Sequence, residues 1–268
     1  MMISSLKLDF TILAGGLSSP ECVTWRGWKG DLIAGGADGS LYSIDMDGKV
    51  STLANTGGQI LGVVADSYWG VVACDVGNGI VWRFDDEGRS SIVAELPNCN
   101  FASVGPEGDL FVSTPFPDDT ERSAIMRIDR VSMAATRWMG EDLAFPNGLL
   151  WPRSIDGMFV LDTDRHQLIR VPCDTNGIRT GDVERVSFLG PISVDGMCEL
   201  EDGSIVVGCY EPSILVHYVR GESPLAVVPE GVVLYRPTNL CRFGAELRYL
   251  AVACMGSGQI VVSELPPI

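Results

Sequence analysis

Short apolar runs separated by Asp-Gly, Glu-Gly and Asn-Gly pairs follow one another along the chain, the pattern of strands punctuated by β-turns. Aligned with one another, the runs repeat at a spacing of about 40 to 50 residues, the length of a propeller blade. A first set opens on a polar or small residue: PECVTW (20–25), LGVVAD (61–66), NFASVG (100–105), NGLLWP (147–152), DGMCEL (195–200) and TNLCRF (238–243). A second set follows at DLIAGG (31–36), GVVACDV (70–76), DLFVSTP (109–115), GMFVLDT (157–163), SIVVGCY (204–210) and RYLAVAC (248–254). The third is GSLYSID (39–45), GIVWRFD (79–85), AIMRID (124–129), HQLIRVP (166–172), SILVHYV (213–219) and GQIVVSE (258–264). Fourth strands are expected at 49–55, 90–96, 134–140, 183–189 and 224–230, and the sixth is missing because the chain stops at Ile268. The run KLDFTIL (7–13) supplies it if the ring is to have no open edge. The expectation is an all-β, six-bladed β-propeller with four antiparallel strands per blade, closed by the N-terminal strand and occupying residues 1–268 as one domain. A β-sandwich also has many short strands but does not require this three-part repeat.

Composition sharpens the picture. Hydrophobic residues make up 46% of the 268, which excludes disorder, and the formal net charge of −16 repels phosphate backbones and anionic lipid. The expected partner is a small-molecule substrate, with no nucleic acid and no membrane, for a monomer or weak dimer. MMISSLKLDFTILAGG lacks a basic start followed by a continuous apolar stretch, so a cytoplasmic location is expected. The eight cysteines include no CxxC pair and lie partly within apolar runs, which reads as buried thiols.

In a propeller the innermost strands line a central channel, and their first residues gather at one mouth. Those positions are Glu21, Gly62, Asn100, Asn147, Asp195 and Asn239, all but one carrying a side-chain oxygen. Two carboxylates and several amides aimed inward are costly to desolvate unless a cation compensates them. All-oxygen ligation suits calcium, magnesium or manganese. His166 and His217, the only histidines, fall in third strands away from this mouth, which excludes a histidine-rich zinc site. Asn and Asp also cap strand starts, an alternative that applies to each residue singly more than to the set.

At these residues the chain resembles the family of senescence marker protein (regucalcin) and gluconolactonase, with strictosidine-synthase-like proteins as more distant relatives. The matching stretches are PECVTW around Glu21, FPNGLLW around Asn147, VLDT (160–163), DGMCELEDGSIVVGCY (195–210), and TNLCRF followed by LAVAC. The resemblance covers nearly the whole chain. It implies one divalent metal ion held by Glu21, Asn147 and Asp195, calcium first, with magnesium, manganese or zinc as alternatives. Asn100, six residues before Pro106, is implied as a metal or substrate contact.

Members of this family mostly hydrolyse lactones, and the site's chemistry allows it: a metal polarises the ring carbonyl while Asp195, ligand and general base at once, accepts a proton from water. No GxSxG motif occurs. Sugar-lactonase relatives tend to show an arginine two residues before the pocket asparagine and an aspartate after it, whereas this chain has Asn98 and Phe101. A more apolar substrate pocket is therefore expected, walled by Asn98, Phe101 and Phe116, with Trp69 overhanging the same mouth and 115–123 as a lid. Alternatives on the same cradle are an organophosphate hydrolase, a biosynthetic lyase or cyclase, and a non-catalytic metal- or ligand-binding propeller.

Overall fold

The computed structural model describes residues 6–140, 142–188 and 190–266. Six antiparallel sheets succeed one another in chain order, and the strands that begin them are Cys22–Arg26, Ile60–Asp66, Ala102–Val104, Pro146–Leu150, Ser193–Glu199 and Pro237–Phe243. Each of these inner strands packs against the next, and the last packs against the first, so the six-bladed propeller closes around a central axis. Apart from a 3-10 turn at Ala245–Leu247 the described residues contain no helix.

The core lies between blades more than within them. One cluster joins Val72, Cys74 and Val81 of the second blade to Leu110, Val112 and Ile128 of the third. Every sheet therefore buries both faces against its neighbours, which is why the second strands read as nearly continuous apolar runs. Among the described residues none of the eight cysteines forms a disulfide, and only Cys198 and Cys241 are partly exposed.

Closure follows the expected route. Lys7–Ala14 pairs antiparallel with Gln259–Glu264 as the fourth strand of the last blade. A second contact shows that it stands where the other blades have their outer strands. The turn after the third strand of the second blade brings Gly88 against the carbonyl of Leu53 in the first blade's outer strand; the matching turn of the first blade brings Gly48 against the carbonyl of Leu13. Both glycines have positive φ, 81° and 78° for Gly48 and Gly88, and a Cβ at either would strike that carbonyl.

The fifth blade departs from expectation. In place of one strand over 224–230, its outer strand is Leu225–Ala226 alone, and Val228–Gly231 crosses to pair parallel with Lys7–Phe10 of the last blade. Val227 causes the break by turning inward to 4% exposure while its N–H donates to the Leu215 carbonyl. Pro229, having no N–H, suits the edge position that results. The closing strand is thus held on both sides. Phe10, 1% exposed, packs with Leu8, Leu234, Leu250 and Val261. Phe10→Ala is expected to cost about 3–5 kcal/mol in urea unfolding. Ile12→Ala on the same strand, where the side chain is 50% exposed, is expected to change stability by less than about 0.5 kcal/mol.

Candidate functional site

The inner strands of the fourth, fifth and sixth blades do not pair regularly near their first residues. Register breaks fall between Pro146 and Leu149, between Val194 and Met197, and between Pro237 and Leu240. Such bulges free a residue from the ladder and re-aim its side chain. The residues so released are Asn147 with Gly148, Asp195 with Gly196, and Thr238 with Asn239. The glycines let neighbouring strands come together: a Cβ on Gly148 would lie 2.5 Å from the Asp195 carbonyl oxygen, and one on Gly196 2.7 Å from Asn239 Nδ2. Asn147, Asp195 and Asn239 are buried at 4%, 8% and 3% exposure, so their polar atoms need partners near the axis.

The Asn147 amide has a fixed orientation. Thr163, in the turn after Met158–Asp162, donates its single hydroxyl proton to the Val194 carbonyl at 2.7 Å. It therefore accepts from Asn147 Nδ2, 3.2 Å away. Asn147 Oδ1 is left buried with no hydrogen-bond partner among the described residues. An orphaned carbonyl oxygen beside Asp195 is what a hard cation would satisfy.

The two carboxylates agree with this. Burial raises the Glu21 carboxyl to about 7, against the pull of the Arg236 guanidinium. Burial, and then the charge of Glu21, hold Asp195 well above the usual carboxylate range. Two buried acids whose charges repel hold protons unless a positive charge joins them. Among the described residues no group of three or more His, Cys, Asp or Glu side chains forms, and the acidic groups at this end of the inner strands are the carboxylates of Glu21 and Asp195 beside neutral amides. Hard oxygen donors of this kind suit calcium or magnesium better than zinc.

The remaining expected residues are dispersed. Asn100 is buried beside the Gly62 strand, where a Cβ on Gly62 would come within 2.5 Å of the Asn100 carbonyl. Phe101 lines an axial channel of about 290 Å³ together with Val63, Leu149, Met197 and Leu240, running from the inner strands toward the opposite face. Asn98, with φ of 60°, lines a separate surface cavity of about 620 Å³ over residues 76–80 of the second blade. Phe116 is half-buried beneath the Arg122 guanidinium, 4.2 Å from the ring centre. The 115–123 segment is folded on itself, Ser123 Oγ accepting from Phe116 N and donating to the Ala144 carbonyl.

Two expectations are corrected. Trp69 does not overhang the mouth: it is fully buried in the hairpin at the other end of the second blade, its Nε1 donating to the Gly108 carbonyl at 2.8 Å. His166 lies not in a third strand but in the turn before Gln167–Val171, at the mouth end, with Nδ1 2.8 Å from the Ile192 carbonyl. Its proton therefore sits on Nδ1 and ties two blades together. Three mouth residues went unread in the sequence: Thr163, Tyr210, whose ring lies under the Arg236 guanidinium, and Arg236 itself.

The geometry defines a six-bladed propeller with buried carboxylate and amide side chains at one end of its inner strands. The SMP-30/Gluconolactonase/LRE-like region model matches residues 20–255, and the chain belongs to that family. No curated protein matches it in sequence. The chain is similar in structure to a gluconolactonase of Xanthomonas campestris, with a TM-score of 0.80 and 17% identity over 96% of this chain and 89% of the other. It is similar to the calcium-binding protein regucalcin of Agrobacterium tumefaciens, at TM-score 0.81 and 18% identity over 98% and 96%. A streptogramin B lyase shares the fold at TM-score 0.72 and 10% identity over 97% and 98%.

Proposed function

We propose that this protein hydrolyses lactones, using one divalent ion, calcium in the first place, held by Glu21, Asn147 and Asp195. The observation that carries the reading is the buried Asn147 Oδ1, left without a donor among the described residues while Thr163 holds its Nδ2, on the inner strand next to that of Asp195, whose carboxyl and that of Glu21 resist ionising. The family, and the neighbours named gluconolactonase and calcium-binding regucalcin, support it.

When bound, such an ion polarises a lactone carbonyl and lowers the pKa of water. Asp195 then accepts the proton of the water that adds to the carbonyl carbon. It returns that proton to the ring oxygen as the carbon–oxygen bond breaks, and the product is the open-chain hydroxy acid. Asn100 orients the substrate, and Phe101 gives the channel below it an apolar wall. No serine nucleophile is required.

The test is a panel of sugar and aliphatic lactones assayed with calcium, with a chelator, and after metal is restored. Hydrolysis is expected with calcium, lost on chelation and regained. Tight metal binding without turnover of any lactone overturns the hydrolase reading, leaving another reaction on this cradle or a binding protein.

A further inference from the structure

Arg236 sits at the mouth in a conformation that long side chains rarely adopt. Its φ is +53°, and the residue is fastened there by its N–H donating to Ser213 Oγ at 2.9 Å and its carbonyl accepting from Met255 N–H. Pro237 follows and begins the inner strand of the last blade. A positive φ on a non-glycine residue is strained and persists where the surrounding structure fixes it.

The guanidinium lies 5.6 Å from the centre of the Tyr210 ring. Tyr210 lies in the second strand of the fifth blade, whose inner strand Ser193–Glu199 carries Asp195. Arg236 is half-buried, its Nε has no partner, and no carboxylate pairs with it among the described residues. By contrast Arg165, also at this end, lies 3.5 Å from Asp162, and Arg122 covers Phe116. The exposed Asp164 is the other charged side chain whose field is felt at Tyr210, besides Glu21 and Asp195. The charge of Arg236 acts on Glu21, and an ion balancing Glu21 and Asp195 would leave that positive charge free for another anion.

We propose that Arg236, held against Tyr210, is the specificity-determining residue of this pocket and receives an anionic substituent, a carboxylate or phosphate carried by the substrate away from its lactone ring. The proposal rests on the hydrolase reading for the word substrate, but the subsite itself does not need turnover. The guanidinium presents a planar fork of donors that suits both anions.

The experiment pairs D-glucaro-1,4-lactone, which bears a free carboxylate, with D-glucono-1,4-lactone, which bears a neutral hydroxymethyl group in its place. The readout is the ratio of their kcat/KM values in the metal-loaded protein. A preference for the charged lactone on the order of tenfold to a hundredfold is expected, seen mainly in KM, abolished in Arg236→Gln and partly kept in Arg236→Lys. Binding is read separately by calorimetry with D-gluconate, D-glucarate and D-gluconate 6-phosphate. The two acids with an anionic group at C6 should bind at least about tenfold more tightly than gluconate, and equally with it in Arg236→Gln. Tighter binding of glucarate supports carboxylate as the natural substituent, and tighter binding of the phosphate supports phosphate. If no lactone is hydrolysed and the binding preference persists, the subsite stands and the hydrolase reading falls. A wild-type protein that binds all three acids alike, or an Arg236→Gln variant with an unchanged preference, overturns the proposal.

Discussion

With divalent metal at saturating concentration, Asp195→Asn is expected to hydrolyse lactones on the order of 10² to 10⁴ times more slowly than the parent, the usual loss when a general base is removed. Asparagine keeps a carbonyl oxygen where the carboxylate was, so the ion can be restored by raising its concentration while the proton acceptor cannot. Misfolding does not account for such a loss, because the substitution removes one of two buried carboxylates whose charges repel. Asn100→Ala supplies the contrast: it touches no proton and is expected to raise KM or lower turnover moderately with metal affinity little changed. Measuring kcat at several metal concentrations, beside calorimetric metal binding, separates the two roles. If metal-saturated Asp195→Asn works at nearly the parent rate, Asp195 is only a ligand and the base lies elsewhere.

What could be read in the chain was what repeats. Strand order and the closing role of Lys7–Ala14 were legible because each blade restates the same three apolar runs and the terminal arithmetic left one strand owing. The mouth positions were legible for the same reason, Asn147 and Asp195 standing at equivalent places in successive repeats. Contacts made across blades were hidden. Thr163 closes the quoted VLDT segment, but its part depends on the Val194 carbonyl of the next blade, 31 positions along the chain. Trp69 belongs to a loop by sequence and to the core by structure, since the carbonyl that accepts its Nε1 proton comes from the hairpin of the third blade. Arg236 gave no signal, because neither its backbone conformation nor the ring of Tyr210 beside it is encoded in a local pattern. The short outer strand of the fifth blade escaped for a related reason: Val227 breaks the alternation of a run that otherwise reads as one continuous strand.

Metal affinity should fall steeply with acidity, and the same cause should make the metal-free protein less stable as pH rises. Glu21 has a carboxyl raised from 4.5 to about 7 by burial, so between those values the folded metal-free chain holds a proton that the unfolded chain has given up. The stabilisation this gives is fully present below about pH 4.5 and is lost as pH rises through about 7; Asp195, raised in the same direction, adds to it. A cation binds the ionised pair and must first displace those protons. From Glu21 alone the affinity for calcium should be roughly fiftyfold weaker at pH 5 than at pH 7, and the presence of Asp195 makes the fall steeper. Calorimetry in buffers of different ionisation enthalpy should show protons released on binding at pH 6. Melting curves supply the second readout: without metal the melting temperature should decline from pH 5 to pH 8, and calcium should reverse the decline. Glu21→Gln separates function from stability. It should flatten the decline and leave the metal-free protein melting higher than the parent at pH 8, while calcium no longer raises the melting temperature. A wild-type affinity that is flat between pH 5 and pH 7, or a Glu21→Gln protein that calcium still stabilises fully, would remove Glu21 from the cradle.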